Sequence, residues 1–173
     1  MIDGLNTENL EKISNELAIT TKIYNLEVEK TLNKAIESIF SDNPEINTVL
    51  WWQYAPIWND GNPCVFQITE YVVATTADSE MINRIGAFNV LSLEMEYGVN
   101  SFADKIFKEK MEELSKNLSG ENIEKLKSIM VYSCSKLSAI LENMVPYLEN
   151  KFGDGIVIFG KGKTPITEYI YHD

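Results

Sequence analysis

Two runs rich in β-branched and aromatic residues, Ile46 to Ile57 and Cys64 to Thr76, flank Trp58-Asn59-Asp60-Gly61-Asn62-Pro63. No other stretch of the chain restricts its fold as strongly. Gly61 accepts a positive φ, and the side chains of Asn59 and Asp60 can bond nearby amides, so the dipeptide Asp60-Gly61 predicts the turn of a β-hairpin over residues 46–76. Pro63 has no amide donor and belongs at the edge of the loop. Alternation along the first run sends Leu50, Trp52 and Tyr54 to one face and Val49, Trp51, Gln53 and Ala55 to the other. Both faces of the sheet are therefore expected to be at least partly covered.

A second hairpin is expected near the end of the chain. Gly155 to Phe159 and Thr164 to Tyr171 flank Gly160-Lys161-Gly162-Lys163, giving strands within residues 155–171. Between and before the hairpins the pattern is helical. Leu10, Ile13, Leu17, Thr20, Tyr24, Val28, Thr31, Ala35 and Ile39 recur at steps of three or four, predicting one helix from about Thr7 to Phe40, closed by Ser41-Asp42-Asn43-Pro44. Its stripe is expected to pack on the sheet rather than in an intermolecular coiled coil, because Thr20 and Thr31 interrupt the heptad. Asp78-Ser79-Glu80 opens a weakly periodic segment, Phe102 to Leu118 reads as an amphipathic helix, and Ile123 to Met144 reads as another. Pro146 should end or kink that last helix. The order α, ββ, several α, ββ predicts a single α+β domain over residues 1–173, with an antiparallel sheet of about four strands and helices on one face.

Composition limits the function. The chain has 173 residues and a net charge of -11, and residues 51–100 carry six acids against Arg84 as the only base. Binding to a nucleic-acid backbone needs a basic face that releases counterions, so the Trp-rich half is not expected to bind one. Mimicry of nucleic acid by an acidic surface is conceivable, but ordinary solubility accounts for the same charge. No run approaches the roughly 20 apolar residues of a membrane helix, and the first residues are polar and acidic. A cytoplasmic chain without a membrane partner is expected, with Cys64 and Cys134 as reduced thiols.

Candidate chemistry is sparse. Cys64 with His172, the only histidine, would form a nucleophile and base, and Asp173 or Asp154 could orient the ring. A histidine beside a chain end is more often simply solvated. No close pair of metal-ligand residues occurs and Asp60-Gly61-Asn62 is too short for a calcium loop, so neither a metal nor a cofactor is expected. Gly160-Lys161-Gly162-Lys163 lacks the following helix of a phosphate loop and reads as a turn. Trp51, Trp52, Tyr54 and Trp58 next to Gln53, Asn59 and Asp60 make the mixture of apolar area and polar handles found in ligand pockets and interaction hot spots. Whichever of Trp51 and Trp52 faces the helices is expected to be core.

Trp51, Tyr54, Pro56, Asn59, Asp60, Gly61, Pro63, Cys64 and Phe66, with Phe152-Gly153-Asp154 and the ending Glu168-Tyr169-Ile170-Tyr171-His172-Asp173, resemble a family of small bacteriophage and bacterial proteins without an assigned activity. Trp52 and Trp58 depart from that pattern, which would have a smaller polar residue and Phe. The resemblance implies a phage-type accessory protein acting in the bacterial host cytoplasm. Two functions are therefore expected in competition: a non-enzymatic protein that engages a host protein or sequesters a small metabolite, counteracting host defence, and a small hydrolase or transferase built on Cys64 and His172.

Overall fold

A computed structural model of the chain describes residues 7–56, 64–87, 90, 91, 129 and 131–169. Helix α1 spans Thr7–Asp42, strand β1 Thr48–Tyr54, strand β2 Gln67–Thr75 and helix α2 Ser79–Ile85. Strand β3 (Val131–Ser133), helix α3 (Ser135–Glu142), helix α4 (Val145–Phe152), strand β4 (Gly155–Gly160) and strand β5 (Ile166–Glu168) complete the order. The expected helix Phe102 to Leu118 lies outside the described residues.

Both expected hairpins form, β1 with β2 and β4 with β5, and antiparallel pairing of β1 with β4 joins them into one sheet. Among the described residues that sheet has five strands in the order β3-β2-β1-β4-β5, one more than expected. The added strand is β3, where residues 131–133 pair with Val73 to Thr75 although the local spacing reads as helix. A three-residue pairing with a distant strand leaves no periodic signal of its own. The break expected at Pro146 is present: α3 ends at Glu142, and Pro146 lies in the first turn of α4, where a missing amide costs nothing. The strand expected from Cys64 begins only at Gln67.

Alternation along β1 divides the core in two. Val49 and Trp51 join Val157 and Phe159 in a cluster closed by Leu32, Ile36 and Phe40 of α1 and by Leu137, Leu141 and Leu148 of α3 and α4. On the opposite face Leu50, Ile156 and Ile158 pack with Met81 and Ile82 of α2 and with Val90 and Leu91. The expected helices on one face thus become helical cover on both, because α2 returns across the far side. Asp78 fixes that return by accepting the Met81 amide at 2.8 Å, and the helix stops at Gly86, whose φ is 81°.

With 36 residues, α1 is about 54 Å long at 1.5 Å per residue. Only its C-terminal half is anchored. Val28, Leu32, Ala35, Ile36, Ile39 and Phe40 meet the sheet and α3, whereas Leu10, Ile13, Leu17 and Tyr24 remain exposed. The expectation that the whole stripe packs on the sheet is corrected accordingly: the body of the protein reaches only half of the helix. Thr20 and Thr31 each donate their hydroxyl to a carbonyl four residues back, at 2.8 Å, so neither presents an unsatisfied group on the helix surface.

Candidate functional site

The Trp-rich strand is mainly structural. Trp51 has 0 % exposure; its ring stacks on Phe159 at 5.4 Å and meets the edge of Phe152 at 6.4 Å. Its indole N–H donates to Gln53 Oε1 at 2.9 Å, and Gln53 Nε2 donates to the carbonyls of Gly153 at 2.7 Å and Leu148 at 3.2 Å. Gln53, expected beside the ligand-binding aromatics, is a fully buried link from β1 to the end of α4. Its amide thereby ties β1 to Leu148 of α4 and to the glycine that follows the helix. Asp154 also has a structural role, since its Oδ1 accepts the Ala55 amide at 3.1 Å just beyond β1.

Trp52 and Tyr54 lie two residues apart on the other face, both half-buried, with ring centres 4.9 Å apart and planes tilted by 30°. Thr69 donates to the Trp52 carbonyl at 3.1 Å, beside the irregular register between β1 and β2. Trp58, Asn59, Asp60, His172 and Asp173 lie outside the described residues. Of the expected binding set, the structure therefore places Trp51 in the core and Trp52 and Tyr54 at its margin. Of the expected catalytic set it places Cys64, which is an exposed free thiol ahead of β2. Cys134, likewise outside any disulfide, precedes α3. Among the described residues no group of three His, Cys, Asp or Glu side chains is arranged to hold a metal ion, and no helix is long and apolar enough to cross a membrane.

A different surface stands out. The free half of α1 exposes Leu10, Ile13, Leu17 and Tyr24 along one stripe and Ile19, Ile23 and Leu26 along a second. At 100° per residue the two stripes point roughly 140° apart. The sequence signal of the second is weaker than that of the first, a spacing of four and three between Ile19, Ile23 and Leu26 only. Where α1 leaves the body, a cleft of 760 Å³ opens between Leu17, Ala18 and Leu26 on one side and Tyr147, Asn150 and Lys151 of α4 on the other.

Glu29, Tyr147 and Lys151 bind one another at this junction. Lys151 Nζ lies 3.1 Å from Glu29, and the Tyr147 hydroxyl also hydrogen-bonds the Glu29 carboxylate. Burial, reinforced by the negative charge of Glu29, pushes the Tyr147 phenol up to about 12. A folded pKa above the unfolded value means that this stability is fully present below pH about 10 and is lost as the pH rises through about 12. Alkaline unfolding monitored by circular dichroism is expected to show that loss between the two values in wild type. Tyr147→Phe should remove this component, and an unchanged alkaline limb would disprove its assignment to Tyr147.

Compared with protein-family models, curated proteins and solved structures, the chain matches none.

Proposed function

We propose that this chain is a non-enzymatic accessory binding protein that engages another protein through the free half of α1. One observation carries the reading: seven large apolar side chains between Leu10 and Leu26 are 45–66 % exposed on a helix whose other half is firmly packed. Exposed apolar stripes of this kind mark sites of protein association, and each stripe of the helix offers anchors at regular spacing. Sequestration of a small metabolite in the cleft is the second reading: Glu29, Tyr147 and Lys151 bond each other there, and Ser14, Thr21, Lys22, Asn25 and Asn150 supply the rest of its polar lining. A Cys64 enzyme would need His172 beside an exposed thiol, and His172 lies outside the described residues. A phage setting, a cytoplasmic host protein as the partner and host defence as the process opposed are supported by the resemblance of the hairpin and the chain end.

The test compares immobilised wild type, Ile19→Glu/Ile23→Glu and Cys64→Ser in capture from bacterial lysate, with bound proteins identified by mass spectrometry. Both variants should melt within a few degrees of wild type, because the replaced side chains are exposed. The Ile19→Glu/Ile23→Glu variant should recover at least about tenfold less of a specific partner, since charges in place of two isoleucines that a partner would cover cost well over 1.4 kcal/mol. Equal recovery by all three chains would remove the Ile19, Ile23 and Leu26 stripe from the binding surface. Loss confined to Cys64→Ser would favour the thiol instead.

A further inference from the structure

We draw no further inference here: the strongest candidate, the exposed apolar stripe of Leu10, Ile13, Leu17 and Tyr24 on the free half of α1, belongs to the surface already described, and nothing in the structure shows what covers it.

Discussion

Trp51→Ala is expected to lower the unfolding free energy by about 3–5 kcal/mol, the usual cost of emptying a large aromatic site in a packed core. The ring occupies the space between Phe152 and Phe159 at zero exposure, so its loss leaves a cavity bounded by α4 and β4. Loss of the indole donor also frees Gln53 Oε1 inside the core, where an unpartnered acceptor is costly. Against a total stability of about 5–15 kcal/mol, such a change removes a large share of the fold. Trp51→Phe keeps most of the volume and loses the donor, and should cost about 1–3 kcal/mol. Urea unfolding followed by circular dichroism measures both. A cost under about 1 kcal/mol for Trp51→Ala would mean that the ring is not a core element.

Gly155→Ala is expected to be of similar severity for a different reason. Gly155 has a φ of 143°, and a methyl group there would sit 2.6 Å from the Glu168 carbonyl oxygen and 2.9 Å from Thr167 Cγ2. The backbone conformation disfavours any side chain, and the nearest obstacle is backbone of β5, which cannot rotate away. Strain of about 1–3 kcal/mol and overpacking of comparable size together give about 3 kcal/mol or more. For a chain of this length that corresponds to a fall in Tm of roughly 6–12 °C. Gly162→Ala is the control: its φ is 69° but nothing lies within 4 Å, so only the left-handed backbone penalty of about 1–2 kcal/mol applies. Equal losses at the two positions would show that β5 does not approach Gly155 as described.

Much of the fold was legible because local chemistry and tertiary demand agree. Asp60-Gly61 and Gly160 to Lys163 separate runs that pair as the expected hairpins, and the α1 pattern starts at Thr7 as read. Asp78 is read from sequence as the opening of a helix and caps one. What sequence could not show depends on distant partners. Val131 to Ser133 carry no strand signal beyond their residue types, and only the exposed edge of β2 makes them a strand. Leu17 lies in the stripe read along α1 and Leu32 beside it, yet the first is 66 % exposed and the second 1 %. That difference is set by how far α4 and the sheet extend along the helix, which no local pattern encodes. For the candidate site the agreement is poorer. Reading Gln53 as a polar handle followed from its aromatic neighbours, whereas the Leu148 and Gly153 carbonyls that claim it are 95 and 100 residues away. Ile19, Ile23 and Leu26 were visible as letters but not as a surface, because exposure of an apolar residue is decided by what fails to pack against it.

The claim at the centre of this account is that α1 is anchored along one half and free along the other. Urea unfolding of Leu32→Ala and Leu17→Ala, at a protein concentration where the chain sediments as a monomer, tests it with one substitution made twice. Leu32→Ala should cost about 2–5 kcal/mol and Leu17→Ala no more than about 0.5 kcal/mol. Comparable losses at both positions would contradict the account, placing Leu17 in a core and closing the surface proposed for binding.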